Sequence, residues 1–174
     1  LANGGDTGRI CQLLNLSSNR WIKESYKFKA PVSPHWAAEK EDINIKTNNL
    51  ELPKTSNFLV IETAGGVMVP LTRKFLQIEQ IQLWNLPVLL VARSGLGTLN
   101  HTLLTLEALK NKGIEVLGLF LNGPSHEDNP KTLEQFGHVP VIGQLPLLSE
   151  VSKENLESQW KKQHLEDTFK RILN

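Results

Sequence analysis

The stretch Phe58-Leu-Val-Ile-Glu-Thr-Ala-Gly-Gly-Val-Met-Val-Pro-Leu71 decides the fold. Phe58 to Ile61 is an apolar, β-branched run and reads as a buried parallel strand. Glu62 closes the run, at the carboxyl end of a strand, where open α/β sheets hold their ligands. Gly65-Gly66 follows at once, and two glycines let the backbone turn sharply and a ligand approach the main chain. A hard acid followed by bare backbone suits a phosphate–magnesium site. The plainer alternative is a loop carboxylate beside a two-glycine turn.

Downstream, the pattern of strand and helix repeats. Arg73 to Trp84 reads as a helix with Phe75, Leu76, Ile78, Ile81 and Leu83 as its apolar set. Pro87 to Ala92 is a second strand. Thr98 is placed to cap a helix running to Lys112, with Leu99, Leu103, Leu106 and Leu109 inward and Gly113 as its stop. Glu115 to Leu121 is a third strand, closed by Asn122-Gly123. A short helix near 130–136 leads to a fourth strand, Val139 to Gly143. Residues 152–173 read as one amphipathic helix with Leu156, Trp160, Leu165, Phe169 and Leu173 on one face. Strand alternating with helix implies an α/β fold, a parallel sheet with helices on both faces.

Upstream the signals are weaker. Asn3-Gly-Gly-Asp-Thr-Gly8 is turn-rich, and Asp6 stands as the N-cap of a short helix from about Thr7 to Leu16. Tyr26, Phe28 and Ala30 alternate like a half-buried strand. Pro31 and Pro34 then impose an extended path, and a helix is expected to start near Ala37. Residues 40–57 are polar and read as a connection.

Composition narrows the class of function. With 174 residues a single domain is the default, and 40% apolar with 21% charged residues is ordinary for a globular chain. A net charge of +1 gives no support for a nucleic-acid or membrane partner. Cys11 is the only cysteine, so there is no internal disulfide, and a reducing, cytoplasmic setting is expected. The five histidines, at 35, 101, 126, 138 and 164, share no zinc spacing. Ser33 and His35 lack the setting of an activated nucleophile.

The distinctive residues recur at one place in each unit. Glu62, the Gly95–Gly97 loop, Asn122 and Pro146 each follow a strand, and in a parallel sheet those ends share one crevice. Gly95-Leu-Gly-Thr-Leu-Asn100 precedes a helix, whose free N–H groups and dipole attract anions; without a third glycine it is not a dinucleotide fingerprint. Asn122 carries an amide able both to donate to and to accept from a purine edge.

Five ordered motifs resemble the dethiobiotin synthetase family: Tyr26-x-Phe-x-x-Pro-x-Ser-Pro-His35, Glu62-Thr-Ala-Gly-Gly66 with Pro70-Leu71, Gly97-x-x-Asn-His101, Gly118-x-x-x-Asn122 and Gly143-x-x-Pro146. The resemblance implies a P-loop NTPase-like fold and an ATP- and magnesium-dependent reaction. In it 7,8-diaminononanoate and CO2 form a carbamate, ATP phosphorylates it, and the second amine closes the ring. Carried over by motif, Asp6 and Glu62 are expected at Mg2+ and nucleotide. Thr63, Ala64 and Gly65 would lie against phosphate and substrate. Asn122 and Gly123, with Pro146, Leu147 and Leu148, would hold adenine. Gly97, Thr98, Leu99 and Asn100 would bind the substrate carboxylate from the partner subunit of a homodimer, and Ser33 and Pro34 would shape the substrate side.

The resemblance also carries departures. The family pattern has Gly where Thr63 stands. Its opening strand, its phosphate loop Gly-x-x-x-x-Gly-Lys-Thr and its Lys-Pro strand do not occur in this sequence, which begins with Leu. Residues 1–174 are therefore expected to be a single partial domain of a longer product, without its catalytic lysines. On their own they are expected to be aggregation-prone or loosely packed and not to turn over ATP. The alternative reading is a non-catalytic nucleotide-sheet homologue that acts as a dimerising binding module.

Overall fold

The computed structural model describes residues 5–173. In chain order its elements begin with helix α1 (Gly5–Leu14) and helix α2 (Pro34–Lys40). A small hairpin follows, β1 (Pro70–Thr72) and β2 (Phe75–Leu76), running directly into helix α3 (Gln77–Trp84). Then come β3 (Val88–Arg93), α4 (Thr98–Asn111), β4 (Val116–Asn122), α5 (Asn129–Gly137) and β5 (Val141–Leu145). Helices α6 (Lys153–Lys162) and α7 (Leu165–Leu173) close the described chain.

Strands β3, β4 and β5 form a parallel sheet in that order. Register sets the two faces. Leu90 pairs with Leu119 and Ala92 with Leu121, and these positions face α4 and α5, where Leu106, Leu119, Leu121 and Leu133 form one buried cluster. Val91 pairs with Phe120 on the opposite face. There Leu165 of α7 approaches Gly143 so closely that an added Cβ would stand 2.7 Å from it and 2.6 Å from the Phe120 ring. Gly118 is as tightly enclosed by Ile142 and Pro140. These two motif glycines therefore serve packing: no larger residue leaves room for β4, β5 and α7 together. A second cluster, Ile78, Ile81, Leu109 and Ile114, joins α3 to α4.

The expectation of helices flanking a parallel sheet is met, with boundaries shifted by one or two residues. Several local expectations are not. Phe58–Ile61 is not a strand: it has no regular structure, with Phe58 90% and Val60 93% exposed. A run becomes a strand only when neighbouring backbone takes its N–H and C=O groups, and no described strand pairs with it. Tyr26–Ala30 keeps its alternating exposure, also without a sheet. The Tyr26 and Phe28 rings stack 6.2 Å apart.

Pro34 opens α2 instead of prolonging an extended path, since proline fits the first helical turn. The first half of the helix expected at Arg73–Trp84 is the hairpin. The single last helix is two, because His164 adopts φ 51° and turns the chain. Trp160 and Phe169 still meet across that break, with rings 5.2 Å apart. At the amino end, Asp6 lies inside the first turn of α1 rather than capping it. Of the turn expected at residues 3–8, Gly5 to Gly8 are helical and Asn3 and Gly4 lie outside the described residues. Solvent-accessible surface is 12654 Å² for a 19.5 kDa chain, against about 8,500 Å² for a compact monomer of that mass.

Candidate active site

The carboxyl ends of the three strands meet along one edge. Arg93 is in register with Asn122, and Asn122 with Leu145. Three hydrogen bonds sew the loops leaving them together. Ser94 N–H donates to Asn122 C=O at 3.0 Å, Gly123 N–H to Leu145 C=O at 2.8 Å, and Gln144 Nε2 to Gly123 C=O at 2.9 Å. Gly123 has φ 128°, and a Cβ there would fall 2.6 Å from Ser94 Oγ; only glycine meets both demands. Asn122 itself is exposed, and its side chain makes no hydrogen bond among the described residues. The structure thus brings Asn122, Gly123 and the start of the Pro146–Leu148 segment together. Leu147 is 77% exposed.

The Gly95–Gly97 loop leaves the same edge. Gly97, at φ 89°, is the N-cap of α4. Thr98, expected to be the cap, is the first helical residue. Its buried hydroxyl shares a 3.1 Å hydrogen bond with that of Thr102. The N–H groups of Leu99 and Asn100 make no hydrogen bond among the described residues, as the first turn of a helix leaves them. This end of α4 therefore offers donors and a positive dipole end to an anion.

Glu62 and the loop to Gly66 lie against the start of α3. Buried Gln77 donates from Nε2 to Ala64 C=O at 2.6 Å, Gly66 C=O at 3.0 Å and Thr63 Oγ1 at 3.1 Å. The side chain of Thr63 is thereby drawn towards α3. Glu62 stays exposed, without a hydrogen bond or ion pair among the described residues.

The amino-terminal residues are placed separately. Helix α1 rests near Glu24, whose carboxyl is held below the usual range, first by its own backbone N–H and then by the Thr7 hydroxyl. Asp6 is exposed and forms no hydrogen bond or ion pair among the described residues. Tyr26 fastens the neighbouring segment, its hydroxyl accepting from Lys46 N–H at 2.8 Å and Asn49 Nδ2 at 2.9 Å. The carbonyl of Ser33 accepts the first N–H groups of α2, from Trp36 and Ala37, while its hydroxyl caps nothing. Arg73 binds Glu39 through two 2.7 Å hydrogen bonds, tying α2 to the hairpin. No hydrogen bond joins Asp6, Ser33 or Glu62 to the strand-end group, and no cluster of three or more His, Cys, Asp or Glu is placed to hold a metal among the described residues. As donors Asp6 and Glu62 fit magnesium in kind: they are hard, uncommitted oxygens, and that ion takes one or two carboxylates beside substrate phosphates.

Four positions escaped the sequence reading: Gln77, Ser94, Asn129 and Gln144. Asn129 is buried and donates from Nδ2 to Ser94 C=O at 2.8 Å. The only sequence signal for such residues is an amide or hydroxyl at the margin of an apolar element, which marks loop ends equally well. A separate cavity of about 340 Å³, lined by Thr47, Glu51, Gln80 and Trp84 among others, contains none of the expected site residues.

Comparison with known proteins adds to this geometry. The AAA domain family model matches residues 1–155. The ATP-dependent dethiobiotin synthetase BioD of Lawsonia intracellularis is 45% identical over 157 residues, 90% of this chain and 77% of that protein. The protein of the same name from Rhodopseudomonas palustris is 38% identical over 161 residues, 92% of this chain and 77% of its own length. A biotin biosynthesis bifunctional protein, BioCD of Bordetella avium, is 42% identical over 159 residues, 91% of this chain and 34% of that protein.

Proposed function

Because the chain belongs to the dethiobiotin synthetase family, we propose that it serves an ATP-dependent ligase that closes the ureido ring of dethiobiotin in the cytoplasm, from 7,8-diaminononanoate and CO2. The observation that carries the residue assignments is the register Arg93–Asn122–Leu145, which gathers three loops at one sheet edge. In this reading the exposed amide of Asn122 meets adenine, with Gly123 and Pro146 to Leu148 against the base. The first turn of α4, Gly97 to Asn100, takes the substrate carboxylate on its free N–H groups, contributed from the partner copy of a homodimer. Ser33 and Pro34 border the substrate. Glu62 and Asp6 take Mg2+ together with the nucleotide phosphates, and the ion supplies charge neutralisation there. Thr63, Ala64 and Gly65 run beside the phosphates, with the Thr63 side chain held aside by Gln77.

The chemistry asks mainly for placement. One substrate amine adds to CO2, its carbamate takes the γ-phosphoryl group of ATP, and the second amine displaces phosphate as the ring closes. Aligned partners and fixed charges lower such barriers more than any covalent work by the protein. The test is complementation of a bacterial strain unable to make dethiobiotin, using the gene that encodes this chain. Growth without added dethiobiotin supports the ligase. No growth from a soluble, expressed product removes it and leaves the dimerising binding module.

A further inference from the structure

The Asn122–Gly123 turn is braced beyond what a loop end needs. Its Asn122 C=O, Gly123 N–H and Gly123 C=O all have partners, and the Ser94 side chain closes on the Gly123 Cα. The donor to Gly123 C=O, Gln144, is itself fixed. Its backbone N–H donates to Gln163 Oε1 at 2.9 Å, and its C=O accepts from Gln163 Nε2 at 2.6 Å. Gln163 follows α6 at the bend into α7, so a side-chain amide there takes both backbone groups of one peptide position on β5. On the other flank Asn129 holds the Ser94 carbonyl. Among the described residues the Asn122 amide makes no hydrogen bond and is exposed, while the Ser94 hydroxyl, also without a partner, is buried against Gly123.

We propose that Gln144, held by Gln163, is a positioning residue for nucleotide-base selectivity, acting through the Asn122–Gly123 turn; the inference rests on the reading of Asn122 as the group that meets the base. An amide both donates and accepts, so by rotating it can satisfy adenine or a base of the opposite pattern. Discrimination then depends on where the amide stands relative to the base, and a displacement of about 1 Å is enough to spoil such recognition. The bond from Gln144 sets that place through the backbone, without touching the nucleotide.

The experiment measures dissociation constants of the full chain for ATP, GTP and CTP with magnesium, for the wild type and for Gln144→Met, Gln163→Met and Asn122→Ala. Methionine keeps the volume of glutamine and removes the hydrogen bond. Gln144→Met is expected to weaken ATP about tenfold, the worth of one good hydrogen bond, and to leave GTP and CTP nearly unchanged, so that selectivity falls by the same factor. Gln163→Met shifts the ratio in the same direction by less, and serves if Gln144→Met does not fold. Equal weakening of all three nucleotides, or none, overturns the inference, because general loosening of the fold moves affinities together. If Asn122→Ala abolishes selectivity while both glutamine variants keep it, the positioning role alone fails. If Asn122→Ala keeps the wild-type selectivity, or the wild type binds none of the three, the reading of Asn122 fails and the inference with it.

Discussion

Leu117–Leu121 and Phe58–Ile61 look alike in sequence: an apolar run, then a polar residue, then glycine within a few positions. In the structure they differ completely. The first lies in β4, between two parallel neighbours, with Leu119 and Leu121 fully buried. The second has no described neighbour, and two of its four side chains stand in solvent. The loops they feed differ in the same way. Asn122-Gly123 is fastened by three hydrogen bonds along the sheet edge, whereas the Glu62–Gly66 loop hangs chiefly on the amide of Gln77. Apolar sequence gives a strand only where backbone partners exist to take its polar groups.

The contrast can be broken most sharply in the core. Leu121→Ala is expected to cost about 2–5 kcal/mol, while Val60→Ala, at a 93% exposed position, changes stability by about 0.5 kcal/mol or less. Urea melts of the two variants decide it, and equal losses would mean that 58–61 is buried in solution. Next comes the braced turn. Gly123→Ala must adopt φ 128° and meet Ser94 Oγ, at a cost of about 1–3 kcal/mol for the backbone alone; an unchanged melt would show a turn free to relax.

Gln77→Ala sharpens the comparison from the other side. It removes the side-chain donor from three acceptors, of which Gly66 C=O keeps the Val69 N–H, for about 1–3 kcal/mol. The loss should be local, with faster amide exchange and proteolysis in residues 62–69 and unaltered protection in β4. Global loss of protection would tie the loop to the sheet more strongly than its bonds suggest.

The smallest effect concerns Glu39, on α2. Its carboxyl is held below the ordinary range, first by the hydrogen bond from Arg73. A carboxylate depressed by folding stabilises the fold above its unfolded pKa, and that contribution fades as pH falls through the lower folded value. The melting difference between wild type and Glu39→Gln should therefore be slight at neutral pH and vanish in acid. It should also shrink with added salt, since the pair is exposed.

Legibility in the sequence followed the range of each interaction. Strands β3, β4 and β5 and helix α4 were readable because their apolar period and their glycine stops are local. The hairpin at Pro70–Leu76 was not: its pairing depends on a turn at Arg73-Lys74 that also suits the middle of a helix. The break at His164 was hidden because the apolar spacing continues across it and Trp160 still finds Phe169. Asn122 and Gly123 could be nominated from their place after a strand. Gln144 and Gln77 could not, since what matters in each is the carbonyl its amide reaches, and that is settled only once the chain has folded.

Gln163 has one more effect, on how copies of the chain meet. By occupying the outward N–H and C=O of Gln144 it imitates a peptide unit, so an incoming strand finds those positions on β5 already filled. Among the described residues the other margin of the sheet, along β3, carries no such plug. Edge addition at β5 is therefore blocked at the Gln144 position.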